Sequence, residues 1–75
     1  MGFHALPRHI RRILRMRDVC QKLNVSPSTV HDLVARDIFI KPFTLIPGGR
    51  AVGWLEEDVD QWIFERKAAS EQGAL

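Results

Sequence analysis

The sequence has a single cysteine, no apolar run near 18 residues and no internal repeat or low-complexity segment. Cys20 alone excludes an internal disulfide framework and fits a reducing cytoplasm; it reads as a small apolar core residue rather than a nucleophile. Without a long apolar run, no membrane span is expected. The stretch "MGFHALPRHIRRILRMR" has no continuous apolar segment followed by a small-residue cleavage site, so no signal peptide is expected. His4, His9 and His31 lack ligand spacing, and one thiol cannot complete a zinc site. "PGGR" is too short for a nucleotide phosphate loop. Glu56, Glu57 and Asp58 are adjacent acids that suit a helix start better than an acid/base pair. These absences argue against an enzyme and against a metal or other cofactor.

What is present is globular in kind. The chain has 75 residues, 45% apolar and 27% charged, enough for one small domain. A domain of this size buries only about 60% of its unfolded surface, so modest stability is expected. Two tryptophans and four phenylalanines supply the bulky part of a small core. The net charge of +2 conceals a polarity. Nine Lys/Arg among residues 1–55 (Arg8, Arg11, Arg12, Arg15, Arg17, Lys22, Arg36, Lys41 and Arg50) face only Asp18, Asp32 and Asp37, leaving +6. Residues 56–75 set Arg66 and Lys67 against six acids, leaving −4. Such a separation lets one face attract a polyanion while the other stays solvated.

The pattern divides the chain into a basic N-terminal arm over residues 1–12, a domain over 13–69 and a fraying tail over 70–75. In "ILRMRDVCQKLNV", Val19, Cys20 and Leu23 share one helical face, with Ile13 and Leu14 anchoring the start. Asn24 tolerates the left-handed conformation that ends helices, and Val25 packs back. Ser26 then caps a second helix with Pro27 at its first position. Val30, Leu33 and Val34 recur at i, i+3 and i+4 and face inward. Ser28, Thr29, His31, Asp32, Ala35 and Arg36 are left outside. Two short helices joined by a turn of about three or four residues are a helix-turn-helix arrangement, although other helical hairpins share these signals.

Pro42 closes off any continuation of that helix. The β-favouring runs Phe43–Ile46 and Arg50–Trp54, joined through "PGG", predict a short β-hairpin, a wing with Arg50 beside its tip. In "WLEEDVDQWIFERKAAS", Leu55, Val59, Trp62, Ile63 and Arg66 lie at helical spacing with acids in the first turn. Trp54 and Trp62 are expected at the heart of the core, where their N–H groups need partners.

The stretches "ILRMRDVCQKLNVSPSTVHDLVARDIF", "KPFTL" and "GGRAVGWLEEDVDQWIFER" carry a resemblance over residues 13–67. They resemble the AlpA-like family of small phage and prophage regulators, related in fold to MerR-type and excisionase winged helices. The resemblance implies a mostly α fold with a β-hairpin wing, in the order helix-turn-helix-wing-helix. It also implies a DNA-binding transcription regulator or recombination directionality factor, acting in the bacterial cytoplasm at the nucleoid. In that family the second helix enters the major groove and the wing touches backbone or adjacent minor groove. Carried to this sequence, Ser26, Ser28, Thr29, His31 and Arg36 become helix contacts and Arg50 the wing contact. Two positions depart from the family pattern: His31 stands where an aromatic is common, and Asp32 where a basic residue is common. Asp32 would repel phosphate, yet it can accept a hydrogen bond from a cytosine amine.

DNA affinity rests largely on neutralised phosphates and specificity on base edges. Arg36, Lys41 and Arg50 can supply the former, joined by the arm arginines Arg11, Arg12, Arg15 and Arg17. Ser26, Ser28 and Thr29 can approach bases or hydrogen-bond phosphates at a helix N-terminus. Plainer roles stand beside these: Ser26 as a cap, Thr29 as a solvated residue, and Arg36 as an i, i+4 partner of Asp32. The expected partner is double-stranded DNA, with further copies of the chain and an integrase as candidate protein partners. The competing expectation is a non-catalytic protein-interaction module on the same fold.

Overall fold

The computed structural model describes residues 12–72. Its elements run β1 (Ile13–Leu14), α1 (Met16–Leu23), α2 (Pro27–Ala35), β2 (Phe43–Thr44), β3 (Val52–Leu55) and α3 (Glu56–Gln72). This is a helix-turn-helix followed by a wing and a third helix.

Local chemistry sets both ends of the first two helices. The Arg15 N–H donates to the Asp18 carboxylate at 2.8 Å, so an acid in the first turn satisfies the residue preceding α1. Asn24 closes α1 at φ 59°, and the Val25 N–H returns to the Cys20 carbonyl at 3.0 Å. Two residues later Ser26 Oγ accepts the Thr29 N–H at 3.3 Å and Pro27 opens α2. The stop of α2 is Asp37, not Pro42. Asp37 takes φ 61°, while the Asp37 and Ile38 N–H groups bond to the Val34 and Leu33 carbonyls at 3.0 and 2.8 Å. That pairing closes the helix at Ala35, seven residues ahead of Pro42.

The sheet is where expectation and structure part. Ile13 and Leu14 are a strand rather than the lead-in to a helix. They pair antiparallel with β3 in the register Ile13↔Leu55 and Leu14↔Trp54. On its other side β3 pairs antiparallel with β2, Phe43↔Gly53 and Thr44↔Val52, so the order is β1-β3-β2. Leu55, expected on the last helix, ends this central strand. A Cβ at Gly53 would sit 2.8 Å from both Ile13 Cγ2 and the Leu14 carbonyl oxygen, so only glycine lets β1 lie this close. At the wing tip, Gly49 N–H donates to the Ile46 carbonyl at 2.9 Å and Gly48 takes φ 78°. With Pro47 in front, this is a type II turn.

Each element except β2 sends one side chain into the core. Leu14, Val19, Val30, Trp54 and Val59 do so, joined by Phe39 from the connection after α2. Burying each contributes roughly 1.5–3 kcal/mol. Trp54 donates its ring N–H to the Ile40 carbonyl at 2.7 Å, and the half-buried Trp62 donates to Ile38 at 2.9 Å. The Phe39 ring meets Trp62 edge-on at 4.8 Å and Trp54 at 5.9 Å. The phenylalanines divide: Phe39 is core, whereas Phe43 and Phe64 are exposed. Cys20 is a free thiol, partly buried against the core. The last helix continues through Ser70–Gln72, residues expected to fray, with Lys67 paired to Glu71 one turn on. No helix among the described residues is long and apolar enough to cross a membrane.

Candidate nucleic-acid interface

The outward face of α2 carries Ser28, Thr29, His31, Asp32 and Arg36, all exposed. At its start three hydroxyls form one cluster: Ser26 Oγ lies 3.3 Å from Ser28 Oγ and 3.1 Å from Thr29 Oγ1. Ser26 therefore acts as the cap and ties its neighbours to the helix end. No acid lies in the first turn of α2. The Thr29 and Val30 N–H groups of that turn are bonded to Ser26, so the hydroxyl cluster and the positive end of the helix dipole give a compact tip that favours negative charge.

At the other end of α2, Arg36 Nη1 lies 3.2 Å from the Asp32 carboxylate. Both side chains are more than half exposed. A pair of this kind, one turn apart in water, holds only about 0.3–0.5 kcal/mol and opens readily. Asp32 thus carries its counter-charge on its own helix.

The wing brings Arg50 to α2. Between them lies a cleft of about 150 Å³. His31 and Val34 of α2 line one side, Arg50 and Val52 of the wing another, and Pro42 and Trp54 also contribute. Lys41 is exposed in the connection leading to β2.

The four arm arginines have different fates. Arg11, like the rest of residues 1–11, lies outside the described residues. Arg12 faces Asp18 at 3.5 Å and Glu56 at 3.9 Å, and its carbonyl accepts the Glu56 N–H at 3.0 Å. Arg17 is exposed on α1. Arg15 belongs to the domain proper: its Nε–H donates to the Val52 carbonyl at 2.8 Å and its side chain lines the α2–wing cleft. The pairing of β1 with β3 puts it there, across 37 residues of sequence, and nothing local in "LRMR" announces it.

On the opposite side, Lys22 of α1 bridges to α3, 2.9 Å from Asp60 and 3.2 Å from Glu56. The hydrogen bond to Asp60, then that to Glu56, holds the ammonium above the ordinary lysine range, against a smaller opposing effect of burial. Among the described residues no cluster of three or more His, Cys, Asp or Glu is placed to hold a metal ion.

Comparison with known proteins agrees with this geometry. The family model for the prophage CP4-57 regulatory protein (AlpA) matches residues 12–67. The DNA-binding transcriptional activator AlpA of Escherichia coli K12 is 32% identical over 59 residues, 73% of this chain and 84% of its own length. An uncharacterized protein, ORF88, of Enterobacteria phage P4 is 32% identical over 62 residues, 83% of this chain and 68% of its own. No solved structure matches the chain. A family match spanning β1, both helices of the helix-turn-helix, the wing and most of α3 leaves one conclusion: the chain belongs to the AlpA family of prophage regulatory proteins.

Proposed function

We propose that the protein is a sequence-specific DNA-binding regulator of the prophage type. It acts on a promoter or on the direction of prophage recombination. In this reading α2 enters the major groove, tip first, and the wing lies on the backbone or in the adjacent minor groove. The observation that carries it is the cleft in which His31 of α2 meets the wing arginine Arg50, on a helix whose first turn holds no acid. A helix N-terminus beside basic side chains is suited to phosphate, and short hydroxyl side chains let a helix approach base edges closely. The family supports the same reading, since a relative of similar length bears the name of a DNA-binding transcriptional activator.

The residues divide by task. Arg50 and Lys41 neutralise phosphates and hold the register. Ser28, Thr29 and His31 face base edges. Arg36 exchanges Asp32 for a phosphate, which leaves Asp32 to accept from a cytosine amine. One domain this small reaches few bases, so two or more copies act together on repeated or bent sites, with an integrase as a further partner where recombination is the target.

The test is binding of the full chain to a labelled duplex from its own upstream region, beside a scrambled duplex, across a salt series. Preference for the native duplex, with affinity falling steeply with salt, is the expected result. Arg36→Glu and Arg50→Glu should each weaken binding and flatten its salt dependence. Equal binding to both duplexes would reduce the protein to a backbone binder at this site. Absence of binding to either at low salt would overturn the reading in favour of a protein-interaction module.

A further inference from the structure

The cleft between α2 and the wing has a composition that its neighbours do not share. Its exposed rim is Arg15, His31 and Arg50, and its less exposed lining includes Val34, Pro42 and the buried Trp54. No carboxylate lines it. Three basic side chains, from the β1–α1 junction, from α2 and from the wing loop, therefore surround an apolar floor. Arg15 is the best fixed of them: the Val52 carbonyl holds its Nε–H at 2.8 Å, and no described residue is bonded to its two Nη groups. An arginine anchored through one nitrogen presents the rest of its fork in a set direction, which suits two oxygens of one anion. At about 150 Å³ the cleft is smaller than the roughly 300–1,000 Å³ of sites that enclose a whole small molecule. It fits a piece of a larger ligand that is anionic on one side and apolar on the other.

Resting on the DNA-binding reading above, we propose that this cleft seats one phosphodiester of the duplex together with its adjoining deoxyribose. Arg15 forks onto the phosphate oxygens, Arg50 and His31 close on it from the wing and from α2, and the sugar lies on the apolar floor. The strand that divides the two grooves is thereby gripped between helix and wing. Arg15, which the sequence groups with a basic arm, is a fixed phosphate ligand of the domain.

The test uses the full chain and the same two duplexes, with Arg15→Met, which keeps the stem and removes the fork, and Arg15→Lys. A second series replaces the phosphates of the native duplex one at a time by neutral methylphosphonates. Arg15→Met should lower affinity about tenfold on native and scrambled duplexes alike and reduce the salt slope by about 1. Arg15→Lys should recover only part of that loss, because it restores the charge without the fork. One methylphosphonate position should weaken wild-type binding yet cost Arg15→Met nothing further. If Arg15→Met melts below the assay temperature, Arg50→Met, whose side chain has no bonded partner among the described residues, should lose sensitivity to that same phosphate. Wild-type binding that Arg15→Met leaves intact, or a phosphate walk with no position shared with Arg15 or Arg50, overturns the cleft proposal alone. Failure of the wild-type chain to bind either duplex overturns the DNA reading itself.

Discussion

The two sides of this domain treat positive charge in opposite ways. Between α1 and α3, Arg12 and Lys22 are enclosed by Asp18, Glu56 and Asp60 at 2.9–3.9 Å. Around the α2–wing cleft, the side chains of Arg15, His31 and Arg50 form no ion pair with a described residue, and no carboxylate lines the cleft. The first side spends its cations on joining helices; the second keeps them for something outside the molecule. Basic residues near each other in sequence are thus sorted by the fold. Arg12 and Arg15 are three residues apart and serve different sides. Net charge and clustering in the sequence cannot make this distinction, because the contacts to Glu56, Asp60 and the Val52 carbonyl each span much of the chain.

The largest effect should come from a change that undermines both sides. Trp54→Ala removes a side chain shared by the core and the cleft and frees the Ile40 carbonyl. A loss of about 3–5 kcal/mol is expected, enough to unfold much of so small a domain. Loss of the cooperative thermal transition in circular dichroism would show it. Next, Gly53→Ala forces a methyl against Ile13 and the Leu14 carbonyl. It should cost about 1–3 kcal/mol, and duplex binding should weaken with it as Arg15 moves relative to the wing.

The contrast itself is tested by a matched pair of charge reversals. Arg50→Glu should lower duplex affinity at least about tenfold while its melting temperature stays close to wild type. Lys22→Glu should do the reverse, losing about 1 kcal/mol of stability, or about 4–8 °C, with binding nearly unchanged. If both lower binding equally, the division into two sides is wrong. A smaller change is expected from Asp32→Asn, which releases Arg36 and removes a repulsive charge from the face of α2. Affinity for the scrambled duplex should rise a few-fold, and stability should move by no more than about 0.5 kcal/mol.

The smallest effect is a pH dependence confined to the α1–α3 side. The Lys22 ammonium titrates higher in the folded chain than unfolded, so its contribution is complete below the unfolded lysine value of about 10.4. It is lost as pH rises through the folded value. The difference in melting temperature between wild type and Lys22→Met should therefore hold steady from about pH 7 to about pH 9 and shrink in more alkaline buffer. A difference that shrank near neutrality would assign the stabilisation to another group.

Much of the fold could be read from residues acting on near neighbours. Asn24, Ser26 and Pro27 announce the end of one helix and the start of the next, and "PGG" announces the wing, because caps and turns are chosen by local backbone demands. β1 was not legible: two residues have no period, and their partners, Trp54 and Leu55, stand about forty positions away. Leu55 misled for a related reason, since its spacing to Val59 and Trp62 continues a helical stripe into what is a strand. Asp37 escaped notice because any residue that tolerates the left-handed region can end a helix, and aspartate does so without glycine's signature. Of the site, the outward face of α2 followed from its period, whereas the cleft that joins His31 to Arg50 and Arg15 depends on the sheet.

The two residues of β1 also decide where this chain can be shortened. A fragment starting at Met16 would retain every helix and look complete. It would lack Leu14 from the core, and it would turn the central strand, Val52–Leu55, into an open margin with unpaired backbone groups. Such a margin is a template for another chain, and edge-to-edge association is the common outcome. Any reporter joined ahead of the domain therefore has to leave Arg12–Arg15 in place, or its readout will be of aggregates.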